Sequence, residues 1–149
     1  MTEIYVDGDA CPVKDEVMRV AERHGLTVHF VSNSGLRLYD SPLVNRVVVA
    51  EGPDAADDWI AENITGEDIA VTADIPLAAR CLDHGAAAVG PTGKPFTKNS
   101  IGAALAMRDL NAHLRETGAI GGNAPSFTRR DRSQFLQALE QAVQDLKRR

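Results

Sequence analysis

Two aspartates separated by one glycine follow a short apolar segment at the start of the chain. The segment is Ile4-Tyr5-Val6, and Asp7-Gly8-Asp9 follows it directly. A strand that ends in this way delivers two carboxylates to the carboxyl edge of a sheet, where open α/β sheets bind their ligands. Carboxylates this close repel each other unless a cation or a shared proton intervenes. Oxygen ligands at this density suit Mg²⁺ or Mn²⁺ better than zinc, so the motif predicts a divalent-metal site.

Two further acidic clusters occur where a predicted strand ends or a predicted helix begins. Asp74 comes just past a predicted strand at 68–72, so in a parallel sheet it points to the same edge as Asp7. The other cluster, Asp54 to Asp58, opens a predicted helix. Within it, Asp57 adjoins the apolar residues of that helix and is the best candidate for an inward-facing acid.

Each acidic cluster also has a purely structural explanation. Asp54 and Asp74 suit helix N-caps. Asp58 suits a solvated helix surface, and the Asp-Gly-Asp sequence suits a turn. Three clusters at matching ends of strands and helices nevertheless favour a functional site, because like charges gathered in one place need a compensating partner.

Apolar segments alternate with helical patterns as far as residue 89. The strands are expected at 3–7, 28–31, 47–49, 68–72 and 86–89. Helical spacing between them predicts βαβ units, and therefore an α/β fold with a mostly parallel sheet of about five strands and helices on both faces. The entirely apolar run Val47-Val48-Val49 suits a strand that is covered on both faces.

Beyond residue 89 the pattern becomes helical. Residues 90–95 form a turn cluster, and two long helices are expected at about 99–117 and 131–147. Thr128 and Asp131 have the spacing of a capping box in front of the second helix. A chain of 149 residues suits one domain. Residues 1–149 are therefore interpreted as a single domain, with both helices packed on the same sheet.

The composition is that of a globular protein, with 44% hydrophobic and 25% charged residues. No apolar run is long enough to cross a bilayer, and the first residues lack the features of a signal peptide. Two cysteines are too few for a disulfide framework. A soluble cytoplasmic protein with reduced thiols and no membrane partner is expected, and the sequence also allows a homo-oligomer.

Charge is distributed unevenly along the chain. The net charge is −5, because residues 1–80 hold 6 Lys/Arg and 15 Asp/Glu whereas residues 81–149 hold 10 and 6. An acidic half beside a basic half fits a metal site that faces a phosphate-binding surface. Solvated helix faces of opposite charge would give the same pattern, so charge supports this interpretation only together with the motifs.

Several segments in a fixed order give the chain a family resemblance. They are Tyr5 to Pro12, Asn33 to Arg37, Ala56-Asp57, Val71 to Ala78, Met107 to Asp109, and Arg130 to Arg132 with Phe135. Through them nearly the whole chain resembles the YaiI/YqxD family of small bacterial proteins, whose fold is related to PIN-like nuclease domains. One departure is Gly8, where the family usually has Ala. Another is Gly90-Pro91-Thr92-Gly93, where the usual Asn-Pro-Arg-Gly would add a positive charge.

The resemblance implies a three-layer PIN-like fold and, by analogy of fold, a metal-dependent nuclease that favours RNA over DNA. Asp7, Asp57 and Asp74 match the metal-holding acids of PIN-like enzymes, and Asp9 is a fourth candidate. Thr72 would orient Asp74 or bind phosphate. Polar and basic side chains would contact the nucleic-acid backbone, namely Asn33, Arg37, Lys94, Lys98, Arg108, Arg130 and Arg132. With a single Trp, base stacking and sequence specificity are not expected.

Two other functions remain open at this level. A strand followed by Asp-x-Asp also fits a haloacid-dehalogenase-like phosphatase, with Asp7 as nucleophile and Asp9 as acid/base. Against this, Cys11 stands where those enzymes usually have Thr or Val. The other alternative is a module that binds RNA or a protein partner without catalysis, and the presence of all four acids disfavours it.

Overall fold

A computed structural model of the chain shows strands alternating with helices. It describes residues 2–8, 11–33, 41–50, 54–116 and 127–148, with the backbone alone at 108–116. The strands within these residues are β1 Ile4–Asp7, β2 Val28–Ser32, β3 Val44–Val48, β4 Ile69–Val71, β5 Ala87–Val89 and β6 Pro95–Phe96. The helices are α1 Lys14–His24, α2 Ala55–Asn63, α3 Ile75–Asp83, α4 Lys98–Glu116 and α5 Arg129–Lys147.

The strands form one sheet in the order β3-β2-β1-β4-β5-β6. Strands β1 to β5 are all parallel, and β6 runs antiparallel to β5. The prediction of an α/β fold with a mostly parallel sheet is therefore confirmed. The sixth strand was not predicted, because Pro95 lies in a cluster of turn residues. Proline is tolerated there since the two-residue strand lies at the edge of the sheet.

Strand β3 is an edge strand, and the prediction that it is covered on both faces was wrong. Among the described strands it pairs with β2 alone, and its Val48 is 64% exposed. Its partly buried members, Val44 and Val47, pack against the margins of the core. An apolar run does not reveal whether the helices reach far enough to cover the strand, because that depends on how they lie across the sheet.

Helices cover both faces of the sheet, as predicted. Because successive side chains of a strand point to opposite faces, β1 contributes to two separate cores. Ile4 and Val6 pack with α1 and α5, whereas Tyr5 packs with α2 and α3. The result is a three-layer arrangement, in which the sheet is the middle layer and its carboxyl edge is open to the loops that follow the strands.

Local signals set several helix ends where the sequence predicted them. Helix α1 ends at Gly25, whose φ of 67° is the left-handed conformation that glycine adopts at little cost. Helix α5 begins with the predicted capping box, since Thr128 accepts from the Asp131 N–H and the Asp131 carboxylate accepts from the Thr128 N–H. Both C-terminal helices lie within one or two residues of their expected bounds.

The two C-terminal helices pack on different parts of the molecule. Helix α5 lies beside α1 on one face of the sheet and buries Phe135, Leu139 and Val143 completely. Helix α4 contacts α3 on the other face. None of the helices within the described residues is long and apolar enough to cross a membrane.

Candidate active site

The carboxyl ends of β1 and β4 bring Asp7 and Asp74 to the same edge of the sheet. The two strands are direct parallel neighbours, with Val6 in register with Val71. Thr72, which is 2% exposed, lies between the two acids. Its hydroxyl donates to Asp7 Oδ2 at 3.1 Å and accepts from the Asp74 N–H at 2.9 Å. Thr72 therefore connects the end of β4 to the acid that ends β1.

Asp74 is also the N-cap of α3. Its Oδ1 accepts from the Leu77 N–H at 3.0 Å, and Pro76 occupies the first turn, where its missing N–H costs nothing. The capping role that the sequence suggested is thus present. It does not exclude a second role, because a carboxylate has lone pairs on both oxygens and the cap uses one of them.

Asp57 lies in the first turn of α2 and faces the other two acids. Burial, the negative charges of Asp74 and Asp7, and a hydrogen bond with Asp74 together raise the pKa of Asp57 from 3.8 to about 7. Its neighbour Asp58 points to solvent and pairs with Arg80 at 2.8 Å. The structure therefore selects the inward-facing acid that the sequence favoured, and it places three carboxyl groups in electrostatic contact.

We expect Asp57→Asn to stabilise the metal-free protein at pH 8 but not at pH 4. Because the pKa of Asp57 is higher in the folded state than in the unfolded chain, folding favours the proton-bound form. The stability that this proton provides is complete below about pH 4 and is lost as the pH rises through about 7. Asn carries no charge and avoids that loss. Thermal melts in EDTA across this range measure the difference.

The control for this experiment is Asp58→Asn, which removes the next carboxylate of the same helix. Asp58 is exposed and paired with Arg80, and such surface pairs contribute little. We expect no pH-dependent gain from it. An equal gain from both variants would mean that general surface charge, rather than crowding among the three acids, destabilises the protein. Added Mn²⁺ should stabilise the wild type more than Asp57→Asn, if the three acids bind it.

The described acids fit a cation of the magnesium type only in part. Among the described residues, no three His, Cys, Asp or Glu side chains lie close enough together to enclose a metal ion. Asp9, the fourth predicted ligand, lies outside those residues. Mg²⁺ commonly uses one or two protein carboxylates and completes its shell with water and substrate phosphates. The hydrogen-bonded pair Asp57 and Asp74, with Asp7 close enough to raise the pKa of Asp57, is a donor set of that kind.

The predicted substrate-binding residues differ in how the structure places them. Asn33 is half-buried directly after β2, the parallel neighbour of β1. Lys94, in the loop between β5 and β6, and Lys98 and Arg130, in the first turns of α4 and α5, are all exposed. Arg37 and the side chain of Arg108 lie outside the described part of the chain. Arg132 is directed to the protein itself, to the carbonyl of Pro12 and the carboxylate of Glu16.

The loop that carries Lys94 is fastened to the start of α5. Gly93 has a φ of 90°, and a Cβ placed on it would lie 2.5 Å from the carbonyl carbon of Gln134. With its amide oriented to satisfy both neighbours, Gln134 donates to the Thr92 carbonyl at 3.2 Å and accepts from Arg130 Nε at 3.3 Å. The backbone of the loop is therefore held against α5, and Gln134 contacts both Thr92 and Arg130. Sequence analysis recognised the turn but not its dependence on α5.

The two cysteines pack with the two cores of the protein. Burial raises the pKa of the half-buried Cys11 thiol, and the charges of Asp7 and Glu16 raise it further. Cys81 is fully buried in α3, and burial raises its pKa to about 12. Neither thiol has the depressed pKa that a nucleophile needs.

A cavity of about 570 Å³ lies at the opposite, amino edge of the sheet, next to His24 and Lys147. Both ring nitrogens of His24 are engaged there. Nδ1 lies 2.7 Å from Lys147 Nζ, and Nε2 lies 2.8 Å from a carboxylate oxygen of Glu140. The size of this cavity does not make it the active site, because its polar groups already bind one another and ligands of open α/β sheets bind at the carboxyl edge.

Comparison with known proteins identifies relatives whose sequences match this chain along almost their entire length. The sequence profile described as "Uncharacterized BCR, YaiI/YqxD family" matches residues 5–145. A UPF0178 protein of Parvibaculum lavamentivorans is 64% identical over 149 residues, which is 100% of this chain and 98% of the relative. UPF0178 proteins of Rhodospirillum rubrum and Rhizobium meliloti are each 58% identical, over 98% and 97% of this chain and 98% and 99% of the relatives. No solved structure matches the chain.

Proposed function

This chain belongs to the YaiI/YqxD family, whose description names no activity, and from its site we propose that it is a divalent-metal-dependent nuclease. The observation that carries the proposal is the meeting of Asp57 with Asp74, beside Asp7, at the carboxyl edge of the sheet. Placing carboxyl groups so close together that one keeps its proton near pH 7 lowers the stability of the folded protein. Carboxyl groups with a pKa shifted in this way are concentrated at functional sites.

The acids of this edge are suited to holding Mg²⁺ or Mn²⁺. Asp7, Asp57 and Asp74 would be the ligands, and Asp9 is a fourth candidate from the sequence. A bound ion would supply an activated water and would neutralise the charge that develops on a phosphodiester during hydrolysis. The protein groups have separate tasks. Thr72 keeps the Asp7 carboxylate oriented through its 3.1 Å hydrogen bond, and the α3 cap holds Asp74 in place.

Exposed basic side chains support a nucleic-acid backbone as substrate. Lys94, Lys98 and Arg130 are exposed cations, and Asn33 follows the end of β2 with an amide. Contacts of this type bind phosphates and are insensitive to base sequence. The described aromatic cluster of Tyr5, His29 and Trp59 packs over the middle of the sheet, so stacking on bases is not part of the proposal. The preference for RNA comes from the PIN-like resemblance and belongs to the proposal for that reason.

Hydrolysis of single-stranded RNA by the purified protein tests this function. We expect end-labelled RNA of mixed sequence to be cut in the presence of Mn²⁺ or Mg²⁺ and to stay intact in EDTA. A DNA strand of the same sequence measures the preference for RNA. RNA that binds but is never cut under any metal condition would contradict the nuclease and favour a non-catalytic binding module. Trapping of an aspartyl-phosphate at Asp7 would favour the phosphatase instead.

A further inference from the structure

Arg132 connects the beginning of α5 to the turn at residues 11–13, which leads into α1. Its guanidinium donates to the Pro12 carbonyl at 2.7 Å and to Glu16 Oε1 at 3.3 Å. The same guanidinium lies over the Phe127 ring, 4.9 Å from its centroid. The partners Pro12 and Glu16 precede Arg132 by 120 and 116 residues, so the contact fixes two distant parts of the chain against each other.

Glu16 is enclosed at this junction. Its side chain is 13% exposed, and its Oε2 is buried without a hydrogen-bond partner among the described residues. The charges of Glu16 and Asp7 both act on the thiol of Cys11. Cys11 therefore lies near the charges of Glu16 and Asp7 as well as that of Lys14. Arg132 binds Glu16 and Pro12 at the same place.

Stability alone does not account for this arrangement. Arg132 is 44% exposed but Glu16 only 13%, and such a partly buried pair is weak evidence for stability because the loss of hydration offsets the attraction of the charges. What the guanidinium provides is geometry, because one nitrogen, Nη1, donates to both acceptors and so holds the Pro12 carbonyl and the Glu16 carboxylate close to each other. The Pro12 carbonyl precedes the first hydrogen bond of α1, which runs from Val17 N–H to the Val13 carbonyl. Arg132 thus holds the turn just where helical hydrogen bonding does not yet do so.

We propose that Arg132 is a positioning residue: through Pro12 and Glu16 it fixes the turn at residues 11–13, which lies next to the carboxylate of Asp7. The inference rests on the proposed nuclease function for its catalytic consequence. It assigns Arg132 a role inside the protein, in place of the phosphate contact that the sequence suggested.

Alkylation of Cys11 by iodoacetamide tests the structural half of the proposal without metal or RNA. We expect Arg132→Ala to increase the alkylation rate of Cys11 several-fold, because the turn that shields the thiol opens. Cys81, fully buried in α3, should remain protected and so reports that the protein is still folded. The matched control is Arg129→Ala, which removes an exposed arginine from the same helical turn and should leave the rate unchanged. An unchanged rate in Arg132→Ala overturns the proposal.

Steady-state kinetics on RNA test the catalytic half. We expect Arg132→Ala to lower kcat roughly 10- to 100-fold at nearly constant KM, the effect of a misplaced catalytic group. A raised KM with unchanged kcat would mean that Arg132 binds substrate, and would overturn the positioning role. If Arg132→Ala does not fold, Glu16→Gln with Arg132→Gln removes both charges together and leaves no buried charge unpaired.

Together, the alkylation and kinetic experiments distinguish a failure of the proposed function from a failure of the inference about Arg132. If the wild type cuts no RNA, the proposed function fails, and the alkylation of Cys11 still decides whether Arg132 holds the turn. If the wild type is active while Arg132→Ala alters neither kcat nor the reactivity of Cys11, the proposed function stands and the inference about Arg132 is wrong.

Discussion

Asp74→Asn should lower the rate of RNA hydrolysis by about 100- to 1000-fold, the effect typical of losing one preorganised electrostatic group. The Asp74 side chain shares a hydrogen bond with Asp57, and removing its charge takes away one of the acids that would hold the metal ion. The fold should not suffer, because Asn is as good an N-cap as Asp and can accept from the Leu77 N–H in the same way. Initial rates with Mn²⁺ and a thermal melt of the same preparation measure both effects.

Asp131→Asn is the matched control for this loss. Asp131 also serves a helix N-terminus, where its carboxylate accepts from the Thr128 N–H at 2.9 Å, and it belongs to none of the three acidic clusters. Its replacement should leave the turnover number unchanged. If Asp74→Asn retains the wild-type rate, the observed hydrolysis comes from another site or from a contaminant.

Gly93→Ala should lower the free energy of unfolding by roughly 2 to 4 kcal/mol, from a left-handed backbone and from overpacking. The new Cβ would lie 2.5 Å from the Gln134 carbonyl carbon and 2.8 Å from the Phe135 N. These are backbone atoms of α5, next to the fully buried Phe135, so they cannot rotate away as a flexible side chain could. Urea denaturation followed by circular dichroism measures the loss.

Gly25→Ala separates the two contributions. Gly25 has a φ of 67°, but nothing lies within 4 Å of a Cβ placed there. Its replacement should therefore cost only the left-handed backbone, about 1 to 2 kcal/mol. Equal losses from the two variants would show that the loop moves away from α5 at little cost. In that case this contact would not fix the position of the loop that carries Lys94 relative to α5.

Local sequence signals predicted most of the elements correctly because each depends on neighbouring residues. Gly25 ends α1 through its own backbone freedom, and Thr128 with Asp131 begins α5 through a four-residue capping box. The edge strand shows the limit of such signals. Val47 and Val48 are equally apolar in sequence, yet Val47 packs against the core and Val48 is 64% exposed.

The residues of the candidate site likewise include some that could be recognised from the sequence and some that could not. Asp7, Asp57 and Asp74 were recognisable from their positions after strands or at the start of a helix. Glu16 and Gly93 gave no sign of their importance, because their partners Arg132 and Gln134 are far away along the chain.

The alternation of strands and helices, the parallel sheet and the acids at the ends of its strands could all be predicted from the sequence. These follow from hydrophobic periodicity and from the rule that parallel strands end at a common edge. Which acids lie close together could be seen only in the folded structure, because distances between side chains cannot be read from the order of residues along the chain. It brought Asp57 to Asp74 and raised the pKa of Asp57 to about 7. It also directs Arg132 towards Pro12, because α5 packs beside α1 on the same face of the sheet.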